Sequence, residues 1–311
     1  MNAQLTLADR FRAQIERPLP LPGKGNTGQR FAELRRLARL DMSLARLVEA
    51  HEDARAIAAE LGTDLVDATA TYGVWAATGP QPVIASGSAT SARLDGTLPW
   101  CGGATIVDRA LVVAMFDGHP QLFDVAVADL RRVVDDDRWT TSTFADIGTS
   151  SMHFDRVSGT SVAPLRTGGY LDRPGFWHGA IGVAACWSGG LAGVMDAYLA
   201  VWRRSDPHSL AHLGAADSEL AAIDAIIGQA ARSIDSNPCD MHAAEQRARR
   251  VRHSVERAAT RALDHLQVGA GPGPLAYSSD VATRTAELTM TLRQCHGERD
   301  LEPLGAGLLA Q

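Results

Sequence analysis

Residues 94–114 read LDGTLPWCGGATIVDRALVVA. Apolar and polar residues alternate up to Trp100, the pattern breaks at Cys101-Gly102-Gly103, and a continuous apolar string resumes at Ala110. Short alternating or β-branched runs of this kind, broken by Gly, Pro, Asp or Ser, mark strands. The stretch therefore reads as two strand runs. Similar runs surround it, among them TYGVWAA (71–77), PVIASG (82–87), QLFDVAVA (121–128) and SMHFDRV (151–157), each broken by Gly, Pro, Asp or Ser. Residues 70–165 are expected to form a small β-barrel or sheet domain. Within it, Asp95-Gly96 is the dipeptide favoured in two-residue hairpin turns.

On both sides of this region the period changes. Upstream, Phe31, Leu34, Leu37, Leu40, Leu44, Leu47 and Val48 recur at spacings of three and four, so residues 29–62 are one or two amphipathic helices. The connector PLPLPGKGNTG (18–28) separates off a short helical tail at the N-terminus, and no further domain is expected before it. Downstream, helical runs near 174–203, 209–235, 241–267 and 280–300 suggest an antiparallel four-helix bundle. The first of these has no charged residue from Gly179 to Met195, close to the length that crosses a bilayer. Five glycines within it, with His178 and Asp196 at its borders, favour instead a helix buried on nearly every side, with glycines where backbones approach closely. The expected organisation is α+β: an N-terminal helical segment (1–69), a central β domain (70–165) and a C-terminal bundle (166–311).

The 311 residues carry a net charge of −6 with 45% hydrophobic and 21% charged residues, which fits a globular chain of roughly two domains. An acidic balance argues against nucleic acid as a partner, because binding phosphates requires an excess of clustered Lys and Arg. Cys101, Cys186, Cys239 and Cys295 form no C-x-x-C pair and read as reduced thiols. No signal-peptide pattern opens the sequence, so a cytoplasmic location is expected and no membrane partner.

Four strings, in order, resemble acyl-CoA dehydrogenases. LDGTLPWCGGATIVDRALVVA is similar to the segment in which a strand and glycine turn lead to a tryptophan beside the flavin. VWAATGP (74–80) resembles the family's Ala-x-Thr-Glu-Pro segment, with Thr78 at the threonine. DIGTSSMHFDRVSGTSVAP (146–164) is similar to the strand that precedes the helical bundle, and HLQVGAGPGPLAYSSDVATR (265–284) to the glycine-rich turn and arginine-bearing helix before the catalytic loop. The resemblance implies FAD as cofactor, a CoA thioester or related acyl substrate, hydride transfer to flavin, and a homodimer or homotetramer. It departs from the family at the base: the position of the usual glutamate, counted from Arg284, is Arg293 in Leu292-Arg293-Gln294-Cys295-His296. The first bundle helix, where some relatives carry the base, offers only His178. The N-terminal helical segment is shorter than the family's, and RRSDPHSLAHLG (203–214) replaces the motif that reaches a neighbouring subunit's cofactor.

Trp100 and Thr78 are candidate flavin contacts, with Cys101 and Gly102 letting a planar ligand approach the backbone; a turn with a half-buried tryptophan is the plainer reading. Gly269, Gly271 and Gly273 could cradle a pyrophosphate or simply form a stiff interhelical turn. Arg247, Arg250, Arg257 and Arg261 share one helix face, either solvated or a docking stripe for phosphates. His296 and His178 are candidate substitute bases. His208 and His212 stand one helical turn apart, but without a third ligand no metal is expected. The implied function is a flavin-dependent oxidoreductase of the acyl-CoA dehydrogenase type with an unusual base. Two alternatives stand beside it: a flavin-dependent monooxygenase of the same fold, and a non-catalytic binding or assembly subunit.

Overall fold

The computed structural model describes residues 5–77, 81–88, 91–133, 139–163 and 169–309. In chain order these form α1 (Leu7–Ile15), α2 (Thr27–Leu40), α3 (Met42–Leu61), β1 (Tyr72–Trp75), β2 (Ile84–Ser88), β3 (Ser91–Cys101), β4 (Arg109–Phe116), β5 (His119–Ala126), β6 (Arg131–Arg132), β7 (Ser150–Ala163), α4 (Pro174–Val201), α5 (Pro207–Ser236), α6 (Met241–Ala270), α7 (Gly273–Tyr277), α8 (Ser279–Leu292) and α9 (Glu298–Leu309). The α+β class and the helix, barrel, helix order are those expected. The chain divides into two compact units, residues 1–18 with 47–176 and residues 19–46 with 177–311. The N-terminal helical segment expected over 1–69 is thus shared between the two.

The first unit is built on a closed barrel. Strand β4 pairs with β2, β2 with β3, β3 with β7, β7 with β5, and β5 returns to β4, while β1 lies parallel to β4 and β6 extends β7. In β3 the alternation is plain: Ala92 and Leu94 are buried, Arg93 and Asp95 exposed. Strand β4 is instead buried continuously from Ala110 to Val112, because Leu111 packs with Ala54 and Ile57 of α3. Closure of a barrel removes exposed strand edges. The Asp95-Gly96 turn is corrected. The dipeptide lies inside β3 at a register shift, where Asp95 Oδ1 accepts the N–H of Arg156 at 2.9 Å. The hairpin turn is Asp117-Gly118, with φ of 49° and 79°, joining β4 to β5 with Phe116 opposite His119; positive φ at both central residues is what a type I′ turn requires.

His51, in α3, is buried against Phe11 and accepts the N–H of Tyr72 through Nδ1 at 3.2 Å. Burial, with Arg55 nearby, lowers its pKa to about 4. Behind it Asp124 accepts from Arg109 Nε at 2.7 Å and from the Tyr72 hydroxyl at 2.9 Å, so this buried carboxylate is paired on both oxygens.

The second unit surrounds α4. Phe31 and Leu34 of α2 approach Gly182, and a Cβ at Gly189 would strike the Arg35 carbonyl and Ala38, while one at Gly193 would lie 2.6 Å from the Arg39 carbonyl. Helix α4 is long and apolar enough to cross a membrane, but most of its apolar window is buried within the protein. Around it, Ser188 donates to Asp224 of α5 at 2.9 Å, Arg252 of α6 donates to the Ala180 carbonyl at 3.1 Å, and Arg284 of α8 donates to the carbonyls of Arg39 and Leu40. The expected helix over 280–300 is two helices: α8 stops at Leu292, and a turn ending in Gly297 at φ 57° leads into α9.

This packing makes the glycines of α4 unequal to those in open positions. Gly189→Ala should destabilise by about 1–3 kcal/mol through overpacking, whereas Gly214→Ala, an open helical position in α5, should be neutral or stabilise by about 0.5–1 kcal/mol; urea unfolding of both variants measures the contrast. For His51, the unfolded chain takes up a proton below pH 6.5 that the folded chain resists until about pH 4. Stability should fall across that window as pH drops, by up to about 3 kcal/mol, and His51→Gln should flatten the slope in paired urea titrations at pH 7.5 and pH 5.

Candidate functional site

In the first unit the sequence candidates gather at the end of β3. Trp100 sits in the left-handed region at φ 62°, a conformation costing an L-residue about 1–2 kcal/mol. That backbone turns the indole outward: Trp100 is 67% exposed and meets the Trp139 ring edge-on, centroids 5.9 Å apart. The following turn is fixed from below, since Trp75 Nε1 donates to the Gly102 carbonyl at 2.9 Å. Gly103, at φ 73°, lies where a Cβ would come 2.9 Å from Leu47. The structure therefore brings Trp100, Cys101 and Gly102 together and adds Trp75 and Trp139. The Cys101 side chain is buried, Sγ donates to the Leu98 carbonyl at 3.3 Å, and burial raises the thiol pKa to about 12. The residue offers a ligand only its backbone. Thr78 lies outside the described residues.

In the second unit the candidates separate. Gly269 is not in a loop but inside α6, packed so that a Cβ would lie 2.8 Å from the Trp202 ring and 2.9 Å from His212 Cβ. Gly271, at φ 74°, caps α6 through its N–H to the Gln267 carbonyl and backs onto Arg204, and Gly273 begins α7. His178 is buried, and its Nε2 lies 2.9 Å from the Pro238 carbonyl. A carbonyl only accepts, so Nε2 carries the proton and joins α4 to the turn between α5 and α6. In the arginine stripe, Arg247 donates to Ser233 at 3.0 Å and Arg261 pairs with Glu219 at 2.6 Å, while Arg250 and Arg257 are exposed.

His296 lies at the turn between α8 and α9, its ring exposed. Its Nδ1 is 3.7 Å from Asp300 Oδ1, and its N–H donates to Asp300 Oδ2 at 3.3 Å. Asp300 is itself buried and reached by Arg249 at 3.4 Å, and the Arg249 guanidinium lies over the Trp177 ring. A carboxylate thus stands near the exposed imidazole, beyond hydrogen-bond distance of its ring. Three residues earlier, Arg293 stands at the position the resemblance gives to a glutamate, its guanidinium held by Glu256 at 2.6 Å. Residues 249 and 269 are separated by about 30 Å along α6 at 1.5 Å per residue, so the glycines at 269–273 and His296 belong to opposite ends of the bundle. Sequence reading missed Asp300, Arg249 and Trp139. The i, i+4 spacing of His296 and Asp300 was the available signal for the first.

The sequence matches no family model and no curated protein sequence. Solved structures match over nearly its whole length. TdsC from Paenibacillus sp. A11-2, in complex with FMN and indole, aligns with a TM-score of 0.77 at 14% identity over 98% of this chain and 95% of that one. KijD3, in complex with FMN and dTDP-3-amino-2,3,6-trideoxy-4-keto-3-methyl-D-glucose, gives 0.73 at 16% identity over 98% and 84%. The HsaA monooxygenase from M. tuberculosis gives 0.69 at 14% identity over 98% and 95%. The chain thus shares the fold of flavin-dependent enzymes. None of these three is described as an acyl-CoA dehydrogenase, and the flavin in two of them is FMN rather than the expected FAD.

The left-handed backbone at Trp100 yields a prediction independent of any ligand. Trp100→Gly should be more stable than Trp100→Ala by about 1 kcal/mol, because only glycine takes that φ without cost; the difference in urea midpoints measures it.

Proposed function

We propose that this protein is a flavin-dependent monooxygenase acting on a small organic substrate. The observation that carries the reading is the α8–α9 turn. Where an acyl-CoA dehydrogenase would present a carboxylate to remove an α-proton, this chain carries Arg293, paired with Glu256, and the other exposed group of the turn is His296, beside Asp300. Oxygenation does not call for that carboxylate, and the shared fold with the HsaA monooxygenase and with TdsC supports the same direction.

The residues at the end of β3 fit a flavin: an exposed indole braced edge-on by a second one, beside a turn whose side chains are hydrogen, hydrogen and a buried thiol. Trp100 and Trp139 would hold the ring system, the Gly102 and Gly103 backbone would allow it close, and Thr78 is a further candidate contact. When bound in its reduced form, FMN or FAD would supply the two electrons with which one oxygen atom of O2 enters the substrate and the other leaves as water. In the second unit, the exposed His296, with Asp300 beside it, is the candidate for moving protons at the α8–α9 turn. Planar aromatic compounds are the first substrates to try, since TdsC was crystallised with indole. Assembly as a homodimer or homotetramer remains part of the proposal.

The test uses the full chain under anaerobic conditions. Reduced FMN and FADH2 should bind with quenching of tryptophan fluorescence, Trp100→Ala should weaken binding about tenfold, and admission of 18O2 with an aromatic panel should give a labelled product. His296→Asn should lower turnover by about 100-fold or more with flavin affinity unchanged. Bleaching of bound oxidised flavin by CoA thioesters would instead return the dehydrogenase reading, and a chain that binds neither flavin would leave the binding-subunit reading.

A further inference from the structure

His212 of α5 and His265 of α6 meet across the helical hairpin. Their Nδ1 atoms are 3.0 Å apart, with ring centroids at 5.2 Å and planes inclined by 46°. Two ring nitrogens of the same kind make such a hydrogen bond only when one carries a proton and the other presents its lone pair. Both residues are half-buried, and the space beside them is filled. A Cβ at Gly269, one turn beyond His265, would lie 2.9 Å from His212 Cβ and 2.8 Å from the Trp202 ring. The charged groups on the adjoining turns are engaged elsewhere or exposed. Glu219, the carboxylate whose charge reaches His265, is tied by both oxygens to Arg261. Asp206 accepts from the N–H and the hydroxyl of Ser209, and Arg203 donates to the carbonyls of Ala200 and Trp202. Arg204 lies against Gly271, while His208 and Asp264 are exposed.

We propose that this pair is a pH-operated clasp holding the start of α5 to the end of α6. When both rings are neutral, the contact is an ordinary hydrogen bond between imidazoles. A first added proton enters on Nε2 of the donor ring, and the bond becomes charge-assisted and stronger. A second can be taken only by the lone pair that the bond itself uses. Two N–H groups and two positive charges then oppose each other, so the bond is lost and the rings repel. The two protons therefore enter in separate steps that belong to the pair rather than to either histidine. Acidification through the range in which imidazoles titrate first tightens the clasp and then opens it. Opening releases the first turns of α5 and the corner after α4, where Trp202 packs against Gly269.

Hydrogen–deuterium exchange of the full chain, corrected for the intrinsic pH dependence of exchange, reads the clasp locally. Between pH 7.5 and pH 5, residues 210–216 should lose protection by about tenfold or more, while residues 226–236 at the far end of α5 keep theirs. His212→Asn should abolish this response, because an amide offers both a donor and an acceptor and stays bonded to His265 in either charge state. His208→Asn should respond as the wild type does. Nitrogen-15 NMR of the wild-type imidazoles gives a second reading that needs no variant: one of the two Nδ1 atoms protonated at pH 7.5, and both at pH 5. Protection at 210–216 unchanged by pH, a loss shared equally by 226–236 or by His212→Asn, or two unprotonated Nδ1 atoms at pH 7.5 would overturn the proposal.

Discussion

An apolar helix without a polar face must be covered on every side, and α4 imposes that condition on its whole unit. Eighteen of its residues are buried, and no single neighbour could bury them all. Helix α2 takes the glycine side because Gly189 and Gly193 let its backbone come close, while α5, α6 and α8 close the remainder. The polar groups at this seam are satisfied locally. Arg35 and Arg39 of α2 reach Asp224 and Asp196, and Arg284 takes the free carbonyls at the end of α2. Dispersion attraction between the two closely spaced backbones then stabilises the seam without large side chains.

The candidate groups stand where regular structure runs out. His296 lies just past the end of α8, near a carboxylate from the first turn of α9 that an arginine stacked on a tryptophan of α4 reaches in turn. Trp100 lies just past the alternating part of β3, held by a left-handed backbone and a second indole. In both cases the candidate group is exposed while its neighbours are fixed by the fold. Orienting groups on rigid elements in this way preserves geometry without drawing on ligand binding energy.

Much of the fold was legible because period alone distinguishes its parts. The α2 and α3 repeats, the two-period of β3 and the charge-free run of α4 each point to one element type, and the glycines of α4 serve the purpose read from them. The errors have local causes. Asp95-Gly96 and Asp117-Gly118 are the same dipeptide; only the second is flanked by strands that end there, and the first is absorbed as a bulge because Asp95 can accept from Arg156 across the ladder. Gly269 to Gly273 looked like an open loop because the sequence does not show that Trp202 and Arg204 fill the space beside the first two glycines. His178 and His296 were indistinguishable as residue types. What separates them is a backbone carbonyl on one and a carboxylate on the other, both contributed by partners whose proximity depends on tertiary packing.

The interleaving of the two units has a bearing on how the chain comes off the ribosome. Residues 19–46 belong with 177–311, yet they are synthesised some 130 residues earlier, with the barrel strands in between. Until α4 emerges, Phe31, Leu34, Leu37 and Ala38 of α2 have no glycine face to cover. The barrel can close before the bundle exists, but the bundle cannot be completed without a segment made at the outset. Contacts of such long sequence separation are slow to form, so the apolar face of α2 stays without its glycine partner for most of translation and is a natural point of chaperone capture.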